Sequence, residues 1–329
     1  MMGRKRIEYI DYLKGLTVLW VVWYHTVHPD FVEFSFRIPL FFFVSGIFFR
    51  PYPFAEFIKK KVNTLIVPFV FFYLVYYGYL VVQWSLSHSL ESFDFSVLAS
   101  VFGMYRGTES FVVNPPLWFI CALLNLQFMM YFLVKIKLSR VWIGVISCLV
   151  SVVGLLYIYW TETPFMLGRS LPYFIYYSFG YIFGRRVLSI IEGDYGHNVS
   201  VQLGLSGLAV FLLCWFVKSA FVFDSYAVIA VSYVEIFSLI LFMIYTLKYT
   251  HSLPFMRFLK FYGVNSYIVL GMHEIVLTVL LILYTRFLGD PGIVGGLVIL
   301  VTTVVTLWPV ILVLNRVCPR LIGKNELWR

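Results

Sequence analysis

Ten apolar stretches follow one another along the chain, and most have the 18 to 25 or so residues that a helix needs to cross a bilayer. They fall at about 9–28, 36–50, 62–86, 115–134, 141–160, 171–190, 199–217, 226–247, 265–287 and 293–316, the second being the shortest. Inside hydrocarbon no water bonds a free N–H or C=O, so a stretch of this length becomes a helix. The expected fold is all-α: a polytopic integral membrane helix bundle of about ten transmembrane helices, one domain over residues 1–329. A composition of 61% hydrophobic and 12% charged residues excludes an ordinary soluble domain.

The basic residues give the bundle a direction. With the N-terminus in the cytoplasm, only Arg37, Arg106, Arg169, Lys218 and Arg286 of the 25 Lys and Arg residues fall on the outer side. A cytoplasmic excess of Lys and Arg is the usual pattern, and one miscounted span would invert every later loop and spoil it. Both termini are therefore expected in the cytoplasm. The net charge of +9 is spread over short loops rather than clustered, which excludes nucleic acid as a partner. No small-residue cleavage site follows the first span, so no cleavable signal peptide is expected. Cys121, Cys148, Cys214 and Cys318 lie within or beside apolar segments and show neither metal spacing nor a disulfide framework.

The first span carries Asp11, Lys14, His25 and His28. Ionisable groups in hydrocarbon are expensive and are functional candidates by default. At about 100° per residue, eleven residues return a helix almost to its starting direction, so Lys14 and His25 share a face, about 16 Å apart along the axis. Asp11 and His28 fall close to the same face. The result is a polar stripe with a cation toward the cytoplasm and an imidazole in the outer half.

The segment Asp11-Tyr12-Leu13-Lys14-Gly15, with His25 after ten further residues, resembles the opening span of the acyltransferase-3 family, membrane O-acyltransferases that modify bacterial surface sugars. The basic residue there is usually Arg. The Lys form resembles the branch containing enterobacterial-common-antigen O-acetyltransferase and fucose 4-O-acetylase-like proteins. Pro39-Leu40-Phe41-Phe42-Phe43-Val44-Ser45-Gly46, Lys59-Lys60-Lys61 with Pro68, Pro116-Leu117-Trp118-Phe119, and Asn265-Ser266 with His273 are similar to later family segments. Asn63-Thr64 stand where many members carry a second Arg.

The resemblance implies an acyl-CoA-dependent O-acetyltransferase of the bacterial inner membrane, with acetyl-CoA as co-substrate and no metal. Its acceptor would be a surface polysaccharide or lipid-linked glycan; membrane lipid and a second copy of the chain are further partners. His25 is the expected general base, because imidazole titrates near neutrality; an acetyl-His25 intermediate is the alternative. Asp11 joins it as a catalytic candidate. Lys14, Lys60 and Lys61 are expected to hold the donor's phosphates while the pantetheine arm reaches toward His25; the other reading of Lys14 is an ion pair with Asp11. His28 and Glu33, at the outer mouth with Asp30, are acceptor-binding candidates or an ordinary solvated loop. Trp118 is expected to stack on a sugar ring or sit in the aromatic belt. Arg169 is assigned to acceptor or oxyanion binding, against an interfacial anchor. His273, beside Glu274, is a substrate-binding candidate or a structural polar contact, and Ser45-Gly46 is a close helix-packing point. Transfer of a succinyl or other acyl group, and a polytopic transporter, are the rival functions.

Overall fold

A computed structural model describes residues 8–27, 37–86, 88–100, 113–158, 163–192, 197–221, 225–250 and 253–325. Each of the ten apolar stretches contains a helix, and no strand occurs among the described residues. The main helices are α1 (Glu8–Val27), α2 (Arg37–Ile47), α3 (Phe54–Lys61), α4 (Val67–Ser85), α5 (Trp118–Lys135), α6 (Arg140–Val153), α7 (Phe174–Glu192), α8 (His197–Ala220), α9 (Ser225–Thr250), α10 (Pro254–Val264), α11 (Ser266–Leu288) and α12 (Gly292–Val317). Among the described residues six helices are long and apolar enough to cross a membrane: Phe54–Ser85, Pro115–Lys135, Asn198–Ala220, Ala227–Thr246, Ser266–Leu288 and Gly292–Val317. α3 and α10 lie outside the ten stretches. Both carry Lys or Arg and bury apolar residues, Phe57 in α3 and Met256, Leu259 and Tyr262 in α10.

The chain forms two compact units. The first comprises Met1–Trp20, Pro29–Phe48 and Tyr176–Val264; the second comprises Val21–His28, Phe49–Ile175 and Asn265–Arg329. α1 is one unbroken helix that belongs to the first unit up to Trp20 and to the second from Val21.

In the first unit, helices meet at glycines. A Cβ on Gly46 would lie 1.9 Å from the Tyr177 carbonyl oxygen, and one on Gly180 would lie 2.0 Å from that of Phe43, so α2 and α7 cross backbone to backbone. α1 and α10 cross the same way at Gly15 and Gly263. Without a hydrophobic drive between helices in lipid, such close approach is what holds them. The expected packing role of Gly46 is thus met. Phe237 of α9 packs against Phe43, Tyr176 and Phe179. Lys218 of α8 reaches Glu235 of α9 at 2.5 Å, an ion pair between the two helices. Lys260 of α10 pairs with Glu8.

In the second unit, α3 and α4 join through a π-helical turn, Val62–Ile66, closed by the Val67 N–H on the Val62 carbonyl. Pro68 brings no N–H to this turn, and the wider register accommodates the gap. α11 and α12 pair, with Asn265 at the start of α11 accepting from Asn315 at 2.9 Å and from Lys324 at 2.7 Å.

Candidate active site

α11 is fixed along its first two turns. The Tyr267 hydroxyl donates to the Leu65 carbonyl at 2.9 Å, and the Tyr267 ring stacks on Phe72. The Phe72 ring fills the space beside Gly271, where any Cβ would fall 2.3 Å from it. Asn114 then closes the junction: its side-chain amide donates to the Gly271 carbonyl at 2.9 Å and to that of Phe72 at 3.4 Å. Asn114 is fully buried and left-handed, with φ 55° and ψ 67°. Asn tolerates this region better than other residues with a Cβ.

His273 and Glu274 follow directly on this clamped segment. The Nδ1 of His273 stands 2.9 Å from the Val269 carbonyl oxygen and 3.1 Å from that of Leu270. Carbonyls only accept, so Nδ1 carries the proton, and in the neutral ring Nε2 is a bare lone pair. That Nε2 is buried with no hydrogen-bond partner among the described residues and lies 3.8 Å from Glu274 Oε1. The last turn of α1 brings His25 to the same carboxylate: Nδ1 is 2.9 Å from Glu274 Oε1. A carboxylate also only accepts, so this nitrogen carries a proton, and in the neutral ring Nε2 is the bare lone pair. The two imidazole rings lie 5.3 Å apart, and Tyr24 stands edge-on to His25. Glu274 thus orients one histidine and faces the other, the arrangement of a His–acid pair.

The family comparison decides what kind of protein carries this site. The acyltransferase-3 family model, described as an acyltransferase domain, matches residues 7–314. The chain belongs to the acyltransferase-3 family. No curated protein and no solved structure matches it. The acyltransferase assignment covers the chain from α1 through nearly all of α12, so the multi-pass helical architecture and the His25–Glu274–His273 cluster belong to one membrane acyltransferase.

The other candidates of this acyltransferase fall as follows. Asp11 is buried on the same helix as His25 but about 21 Å away at 1.5 Å per residue, too far to touch it. Lys14 is half-buried in the first unit. Lys60 is held by Glu56 at 2.7 Å and sits 3.2 Å over the Tyr52 ring, while Lys61 lies over Phe57. Lys60 is thus already engaged by a carboxylate and an aromatic ring. Trp118 starts α5 with its ring 6.3 Å from that of Tyr173, and Arg169 sits in a one-turn helix, Leu167–Ser170. His28 and Glu33 lie outside the described residues.

Asn114 was not singled out by the sequence. Replacing it with glycine keeps the left-handed backbone free of strain but leaves the Gly271 carbonyl without its donor. Asn114→Gly is expected to lower stability by about 1–3 kcal/mol, the cost of an unmet buried polar group, read as a shift in denaturation of the purified protein in detergent. A variant as stable as the parent would show that the amide clamp contributes nothing.

Proposed function

We propose that this acyltransferase moves acetyl from cytoplasmic acetyl-CoA to a hydroxyl of a surface polysaccharide or lipid-linked glycan in a bacterial inner membrane, with His25 as the general base. The observation that carries the reading is the 2.9 Å contact between His25 Nδ1 and Glu274, which leaves Nε2 free. In the proposed step, His25 Nε2 takes the proton of the acceptor hydroxyl as its oxygen attacks the thioester carbonyl. The C–S bond then breaks, the acetyl group stays on the acceptor oxygen, and the thiolate leaves as CoA, protonated from the imidazolium. Glu274 holds the ring in its productive tautomer and stabilises its positive form.

The remaining assignments complete this reading. Ten spans with both termini cytoplasmic put Lys14 at the donor side, and the Lys in place of Arg favours the branch of glycan and fucose O-acetylases. An ammonium contacts phosphate as a point charge rather than as a fork, so donor binding here is less rigid than with Arg. Lys60 and Lys61 extend the basic entrance, and Trp118 and Arg169 are assigned to the acceptor.

The test uses purified protein with labelled acetyl-CoA, labelled succinyl-CoA and a panel of glycan acceptors. Label in the glycan from acetyl-CoA is the expected result. Movement of unmodified solute into liposomes without acyl transfer would replace the enzyme with a transporter. In the same assay Lys14→Ala should raise KM for the acyl-CoA roughly 10- to 100-fold, the value of one charge-assisted contact. An unchanged donor dependence removes Lys14 from the donor site.

A further inference from the structure

We propose that His25, His273 and Glu274 form a site for one divalent borderline cation, Zn²⁺ in the first instance, and that its occupancy switches the acyltransferase off. The binding stands on geometry alone; the switch rests on the reading of His25 as base.

Three observations point to a metal. One ligand atom from each residue lies within 4.8 Å of the others. Two imidazoles and a carboxylate are an established ligand set for Zn²⁺, and three protein ligands leave a fourth position open. His273 also has the support typical of a metal-bound histidine. Its Nδ1–H is tied to the Val269 and Leu270 carbonyls, which fixes the tautomer and points the bare Nε2 at the carboxylate. That nitrogen is fully buried and has no hydrogen-bond partner among the described residues, so the fold holds a lone pair in place beside the carboxylate.

Tetrahedral Zn²⁺ with bonds of about 2.0–2.1 Å sets its ligand atoms about 3.4 Å apart. The 3.8 Å between His273 Nε2 and Glu274 Oε1 must close slightly, and the 2.9 Å between His25 Nδ1 and Glu274 Oε1 must open slightly. His25, with about a third of its side chain exposed, has room to move. The proton accounting then explains the switch. A metal on His25 Nδ1 takes the lone pair of that nitrogen, so the ring proton moves to Nε2. Nε2 becomes a donor, and no base remains to receive the acceptor's proton. The cation and the proton that His25 shares with Glu274 exclude one another.

The test titrates chelator-treated, full-length protein in detergent with Co²⁺, read by its ligand-field absorption, and then displaces it with Zn²⁺. One equivalent is expected, retained in Cys318→Ser and lost in His273→Ala and Glu274→Gln. His273→Gln, closer in size and polarity, guards against loss by misfolding, and all variants are checked for a monodisperse elution profile. Zn²⁺ at saturation should lower acyl transfer at least 10-fold, with recovery on adding chelator. No bound Co²⁺, or binding undiminished in the His273 and Glu274 variants, overturns the site. Stoichiometric binding with transfer unaffected overturns the switch. Binding by a protein that transfers no acyl group to any acceptor would count against the proposed function and leave the site standing.

Discussion

His25→Ala is expected to lower kcat/KM for acyl transfer by about 10²- to 10⁴-fold, the contribution of a well-placed general base. Glu274→Gln should cost less, because the amide oxygen still accepts from His25 Nδ1 while the negative charge that stabilises the imidazolium is gone. The two residues share one contact at 2.9 Å, so they should act as a unit. Once His25 is absent, Glu274 has no ring to orient, and the double variant should be about as slow as His25→Ala alone. The measurement is initial rates with labelled acetyl-CoA for the parent, both single variants and the double. Losses that multiply would mean that Glu274 acts elsewhere, and transfer that survives His25→Ala intact would remove the base from the mechanism.

The second large effect lies in the first unit. Gly46→Ala and Gly180→Ala each place a methyl about 2 Å from a backbone carbonyl oxygen of the facing helix. Backbone cannot rotate away as a side chain does, so α2 and α7 must separate along their whole crossing. Each substitution is expected to destabilise by about 3 kcal/mol, the upper part of the range for overpacking, and to lower the apparent melting temperature in detergent by several degrees. Gly78→Ala supplies the opposite sign. A Cβ there meets nothing within 4 Å, so the substitution should leave stability equal or raise it by up to about 1 kcal/mol through helix propensity. Equal melting temperatures for all three variants would show that the crossings are not held by close approach.

The helices were legible because hydrocarbon leaves the backbone one solution, and each apolar stretch is helical where the sequence places it. His25 and the His273–Glu274 pair stood out for the same reason, as ionisable groups in apolar surroundings. Their meeting was not legible. Counting from helix ends puts His25 near the close of α1 and His273 two turns into α11, which locates each residue on its own helix and says nothing about which helices are neighbours. The Lys218–Glu235 pair is hidden for the same reason, since its two halves sit on different helices. Asn114 carried only a weak signal, tolerance of the left-handed region, and the Pro115 that follows argues for extended backbone instead.

The π turn at Val62–Ile66 has a rotational consequence. One residue of slack in a helix turns everything before it by about 100° relative to everything after it. The rotation of α3, with Lys59, Lys60 and Lys61 in its last turn, is therefore set independently of the face by which Phe69, Phe72 and Tyr73 anchor α4 in the second unit. The turn is an angular coupling: it lets the basic cluster be aimed without disturbing the helix against which Gly271, three residues before Glu274, is seated.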